Sequence, residues 1–183
     1  IEKELFMKYV FISLFLAVAM LSGCAFNATP YGVSSQNVEI IKSQKIKPVA
    51  VSPFTSYKPG LASISCRGTG SIEVTPNFEN YIESALIDEL KLAGAYDPES
   101  NVTITGKLEE IDVSSAMDGG KWTLSVTISN GKNQSFITKS IFTFSGSYIG
   151  DRACAEVAQH FTQAVQQLIK EIVQNPKFKQ ITM

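Results

Sequence analysis

The spacing of apolar positions changes several times along the chain, and each change marks an element. Tyr9 to Met20 is an almost unbroken apolar run. It is shorter than the about 20 residues a membrane-spanning helix needs, and matches the core of a secretory signal, about 7–15 residues. Apolar residues at Val38 to Ile41 predict a weak strand, and Val49-Ala50-Val51 within Pro48 to Phe54 a firmer one that Pro53 ends. Between Tyr57 and Thr75, Pro59, Gly60, Gly68 and Gly70 interrupt any period, which predicts a loop with one or two short strands around Ser63 to Cys66. Thr75-Pro76 reads as a cap and first helical turn. The helix then runs to Ala93 on a stripe of Phe78, Tyr81, Ile82, Ala85, Leu86 and Leu90, with Glu79, Glu83, Asp88 and Lys91 outside it, and Gly94 ends it.

From Val102 the period becomes two. Val102, Ile104, Gly106 and Leu108 alternate with polar residues, then Ile111 and Val113 take the opposite parity, which predicts a bulge at Glu109 or Glu110. Trp122, Leu124, Val126 and Ile128 form the cleanest strand. Asn130-Gly131 predicts a tight hairpin turn after it, returning over about Gln134 to Ser145. A last helix starts at Gly150-Asp151, carries Cys154, Val157, Phe161, Ala164, Val165, Leu168 and Ile172 on one stripe, and stops at Pro176. The order strand, helix, three strands, helix predicts an α+β two-layer sandwich. Its four-stranded mixed sheet would carry both helices on one face.

At the end of the first apolar run stands Leu21-Ser22-Gly23-Cys24, with Lys8 ahead of it. These four positions resemble the lipobox of bacterial lipoproteins, which implies that Cys24 is acylated and becomes the first mature residue. Met7 reads as the start, which makes 1–6 upstream residues, 7–23 a lipoprotein signal and 24–36 an anchor and tether rich in Pro, Gly, Ser and Asn. A single domain then spans 37–183.

Composition narrows the function classes. A net charge of −1 gives no basic footprint for nucleic acid. With no second long apolar stretch after Cys24, the mature chain would be anchored to a membrane without spanning it. With Cys24 acylated, Cys66 and Cys154 remain as a pair in a compartment that permits disulfides. A bond between them is expected, against the alternatives of two buried thiols or a reactive one.

Candidate chemistry is sparse. His160 is the only histidine in the chain, too few for a histidine-based metal site or a convincing nucleophile triad, and it sits beside an apolar stripe. Glu109, Glu110 and Asp112 lie on a strand, where alternate side chains diverge. The glycine pairs at Gly68, Gly70 and at Gly119-Gly120 match no phosphate-binding fingerprint. No catalytic residue, metal ligand or cofactor is therefore assigned. The outward pointer is the strand holding Phe136, Ile137, Ile141, Phe142 and Phe144, apolar on both parities where a half-solvated strand should alternate. Either 38–46 and the loop around Cys66 cover its second face, or that face meets a partner or lipid through Phe136, Phe142 and Phe144.

The order of elements behind a lipidated N-terminus resembles envelope lipoproteins of Gram-negative bacteria, among them the lipopolysaccharide-assembly lipoprotein E family and the auxiliary lipoproteins of lipid-transporting ABC systems. Locally, Cys66-Arg67-Gly68, Tyr81 to Lys91, Ala153-Cys154-Ala155 and Ala164-Val165-Gln166 look like bacterial lipoproteins of no known activity. The resemblance implies a non-enzymatic, periplasm-facing lipoprotein held in the membrane through Cys24, serving as an accessory or assembly subunit of an envelope complex with a protein partner. A lipid or small-ligand carrier is the alternative. Ala25 after the cysteine implies the outer membrane.

Overall fold

A computed structural model describes residues 24–68 and 70–183. Residues 1–6 and 7–23, the latter expected to be a signal segment, lie outside the described residues. The elements in chain order are β1 (Cys24–Asn27), α1 (Ser35–Gln44), β2 (Ala50–Val51), β3 (Thr55–Ser56), β4 (Ser63–Cys66), β5 (Gly70–Glu73), α2 (Phe78–Ala93), β6 (Thr103–Ala116), β7 (Gly119–Ser129), β8 (Ser135–Phe144), α3 (Gly150–Gln174) and α4 (Pro176–Ile181).

The class is α+β with mixed sheets, but the described residues form two sheets and four helices rather than one sheet and two. The main sheet has β2 and then β3 end to end along one edge of β6, both parallel to it, followed by antiparallel β7 and β8. The strand expected over Pro48 to Phe54 is broken into β2 and β3 at Pro53. That residue has no N–H for the ladder, and the next N–H, of Phe54, turns away to Glu83 Oε2 at 2.7 Å. The Phe54 ring then covers Gly106, where a Cβ would lie 2.3 Å from the ring. The bulge falls where the parity of β6 changes, between Leu108 and Glu110.

A second, three-stranded sheet in the order β1-β5-β4 accounts for the irregular region. Residues expected to form a tether are its first strand: β1 pairs with β5, and Ala28 N–H continues the ladder to the Glu73 carbonyl at 2.8 Å. The chain that follows is also held, with Gln166 Nε2 on the Gly32 carbonyl at 2.6 Å and the Tyr81 hydroxyl on that of Thr29 at 2.8 Å. The weak strand expected over Val38 to Ile41 is helix α1. Ser34 caps it, and Asn37, Val38 and Ile41 make a buried helical face against α2 and α3.

Helix α2 starts two residues later than the Thr75-Pro76 pair suggests. The Thr75–Pro76 peptide is cis, and Asn77 is the cap, its side chain accepting from Asn80 N–H at 2.9 Å. Gly94 closes the helix at φ 72°, a conformation glycine adopts without strain. Helix α3 has Ile149 rather than Asp151 at its N-cap, and Pro176 both follows its end and opens α4.

Helices α2 and α3 cover one face of the main sheet. Their shared core is aromatic: Trp122 of β7 lies 4.9 Å from Phe161 and 6.4 Å from Phe78, and Phe161 lies 5.0 Å from Tyr81. The indole N–H of Trp122 donates to the Val157 carbonyl at 3.0 Å, so the buried polar atom is satisfied. The Cys66–Cys154 disulfide joins β4 to the first turns of α3, with Cα atoms 5.9 Å apart across a sequence separation of 88.

Candidate functional site

Strand β8 is the last in its sheet, and its two faces differ sharply. Phe136, Thr138 and Ser140 are buried toward α3, while Ile137, Lys139, Ile141 and Thr143 face outward. Ile137 and Ile141 are 65% and 51% exposed. The even-numbered residues point inward because β8 pairs even with even: Phe136 opposite Ile128, Phe142 opposite Trp122 and Phe144 opposite Gly120. The sequence expectation that Phe136, Phe142 and Phe144 present a partner surface is therefore corrected. Phe136 is core, and Phe142 and Phe144 are half-buried beside α3, with Phe144 stacked on His160 at 4.7 Å.

Two flanking contacts stiffen the strand without covering its outer face. Lys139 Nζ binds Glu110 Oε2 on β6 at 2.7 Å, across the intervening β7. Gln167 of α3 donates to the Ile141 carbonyl at 3.2 Å, so one outward-facing carbonyl of the edge is already taken. Beside Ile137 and Ile141 the outer face continues across β7 as Lys121, Thr123, Ser125 and Thr127, and across β6 as Lys107, Glu109, Glu110 and Asp112. Glu109 accepts from Lys107 at 2.8 Å and from Thr127 at 2.9 Å, and the lysine bond holds its carboxyl below the ordinary value. The expected cover does not form. Helix α1 sits on the helical side, and the Cys66 turn is bonded to α3 and, through Arg67, to the Ser115 and Ser147 carbonyls.

Other chemistry-bearing residues are engaged in contacts within the fold. His160 places Nδ1 2.8 Å from the Glu156 carbonyl in its own helix, and Cys154 is bonded. Among the described residues, no group of three His, Cys, Asp or Glu side chains is placed to hold a metal ion. Three glutamates of α2 each accept a backbone N–H from a different loop. Glu79 takes that of Gly60 at 2.6 Å, Glu83 that of Phe54, and Glu89 that of Ser34 at 3.3 Å. Sequence periodicity put Glu79 and Glu83 outside the apolar stripe; Glu79 and Glu89 are nonetheless buried. Glu89 also accepts from the Tyr31 hydroxyl and from Asn37 Nδ2 at 3.1 Å. Burial raises its carboxyl above the ordinary value against the pull of these donors, and burial with the adjacent carboxylate raises Tyr31.

Open grooves border the edge. One of about 490 Å³ runs between the start of α1 and Phe142, floored by Gln163, Gln167 and Lys170, and another of about 660 Å³ lies by Gly120, Lys121 and Thr143. Both are on the surface, outside the space between sheet and helices.

No family model matches the chain, and no curated protein sequence matches it. Solved structures do. A Xanthomonas campestris protein of the DUF330 family superposes with a TM-score of 0.54 at 14% identity, covering 85% of this chain and 96% of that one. A candidate lipoprotein from Caulobacter crescentus gives 0.40 at 12% identity, over 80% and 96% of the two chains. A Chlamydia trachomatis protein described as hypothetical gives 0.40 at 14% identity, over 73% and 97%. The fold is therefore shared with the Xanthomonas protein, and at this identity the likeness is one of fold alone. Among the described residues no helix is long and apolar enough to cross a membrane.

Proposed function

We propose that this chain is a non-catalytic lipoprotein of the bacterial envelope, anchored through acylated Cys24, that serves as an accessory or assembly subunit and docks a protein partner on the outer face of its main sheet. The observation that carries the docking is the pair Ile137 and Ile141, exposed on an otherwise polar face that neither α1 nor the Cys66 turn covers. Anchoring is supported by the lipobox at Leu21 to Cys24, and outer-membrane placement by Ala25. Kinship with lipopolysaccharide-assembly lipoproteins rests on element order alone.

A carrier needs room between sheet and helices. That space is filled by Trp122, Phe78 and Phe161, all fully buried, which favours docking over carriage.

The test is purification of the full chain from its own envelope in mild detergent, with a photo-crosslinking side chain at position 141. The expected result is one stoichiometric protein crosslinked at 141 and absent when Ile137→Asp is added to the same chain, with its melting curve unchanged. A partner retained in that variant, or no crosslink at all, overturns the reading.

A further inference from the structure

The three strands of the small sheet finish together at one end of the domain. Cys24 opens β1 opposite Gly70, and Gly70 stands opposite Cys66. At about 4.8 Å per strand, the Cys24 backbone lies about 10 Å from that of Cys66. Cys66 is bonded to Cys154 in the first turns of α3. Arg67 of the same turn reaches the Ser115 carbonyl at 2.8 Å and the Ser147 carbonyl at 2.8 Å. Gly146 lies so close to the turn after β6 that a Cβ there would meet the Ala116 carbonyl oxygen at 2.5 Å. The β6–β7 turn and the loop before α3 thus meet at the Cys66 turn, and the first residue of β1 lies two strands away at the same end of the domain.

That end carries Met117, Tyr148 and Ile149, which are 60%, 80% and 63% exposed. Their surroundings are mixed in charge: Arg152 and Lys121 are exposed beside Asp118 and Asp151. A patch of this kind is drawn to a membrane by its apolar side chains more than by net charge, and tyrosine, with an apolar ring and a polar tip, suits the boundary between headgroups and acyl chains.

We propose that this end of the domain is a bilayer-contact face, on which Met117, Tyr148 and Ile149 enter the headgroup boundary next to the acyl anchor. The inference rests on acylation of Cys24. Because β1 begins at Cys24 itself, no slack separates anchor from domain, and whatever lies beside Cys24 is brought to the lipid surface. Ile137 and Ile141 lie on the broad face of the main sheet instead, which leaves them free for a protein.

The full chain is purified in detergent, with Tyr148→Cys or Ile149→Cys as the one free thiol, and labelled with an environment-sensitive dye. It is then reconstituted into phosphatidylethanolamine–phosphatidylglycerol vesicles; Lys132→Cys, in the hairpin loop at the opposite end, is the control. Lipid-borne nitroxide is expected to quench the labels at 148 and 149 several-fold more than the label at 132, with aqueous iodide giving the reverse order. The mass of the Cys24 peptide from the same sample reports acylation. An acylated protein whose labels at 148 and 149 are quenched by iodide as strongly as that at 132 overturns the contact face, whereas a Cys24 peptide without acyl mass overturns the anchor on which it rests.

Discussion

The Tyr31 hydroxyl donates to Glu89 Oε1, and with the Ser34 N–H on the same oxygen and the Tyr81 hydroxyl on the Thr29 carbonyl it fastens the segment ahead of α1 to α2. Glu89 is held above its ordinary value of 4.5 by burial, so between that value and the raised one the folded protein binds more of a proton there than the unfolded chain does. Stability contributed by this group is present at low pH and falls as pH rises from 4.5 through the raised value, at most by about 1.4 kcal/mol per pH unit. Glu89→Gln should flatten that part of the profile. Urea unfolding of both proteins at steps between about pH 4 and 8 checks it.

Neighbouring residues of β8 should respond oppositely to the same charge. Phe136→Asp puts a carboxylate into the core and should cost several kcal/mol. Ile137→Asp, one residue on and facing outward, should stay within about 0.5 kcal/mol of wild type. Paired chemical denaturation curves decide, and equal losses would mean that the register of β8 is wrong.

Reduction of the Cys66–Cys154 bond releases a loop with a sequence separation of 88. The loop-entropy account puts the cost at about 4–5 kcal/mol. The denaturation midpoint with and without reductant should fall accordingly, and Cys66→Ser with Cys154→Ser should reproduce the reduced protein.

Trp122 is the largest fully buried side chain and ties the middle of the sheet to α3. Trp122→Ala should cost about 3–5 kcal/mol. Trp122→Phe should cost much less, since it keeps most of the ring volume and leaves only the Val157 carbonyl without its second donor. Thermal unfolding of the two variants gives the comparison.

Strands β6 and β7 were legible because their apolar residues hold one parity, apart from the bulge that the parity change itself announces. The span of β8, expected over about Gln134 to Ser145 and found over Ser135–Phe144, was legible too, but its inner face was not, because both its parities are apolar and the inward face then depends on the length of the preceding turn. A two-residue turn at Asn130-Gly131 would pair Ser129 with Lys132 and Leu124 with Ile137, burying the isoleucines and exposing the phenylalanines. The loop is longer: Ser129 pairs with Ser135, which exchanges the two faces. The signal was the polar run Lys132-Asn133-Gln134, too hydrophilic for the start of a buried strand. Of the small sheet only the short strand around Ser63 to Cys66 was legible, since β1, β4 and β5 are four residues each and gain their support from α3 and a disulfide rather than from their own pattern. Carboxylates that accept backbone N–H groups, as Glu79 and Glu89 do, leave no periodic trace, because the donors sit in loops distant in sequence.

Strand β1 also decides how the domain responds to tension. A pull on the backbone at Cys24, directed outward along the strand, loads the whole β1–β5 ladder at once in shear, from Cys24 opposite Gly70 to Asn27 opposite Glu73. The same force does not peel those bonds open one after another. Strand β5 passes the load to β4, and β4 is bolted to the longest helix by the Cys66–Cys154 bond. Force arriving at Cys24 is thereby shared with the core of the protein, and β1 is mechanically well secured.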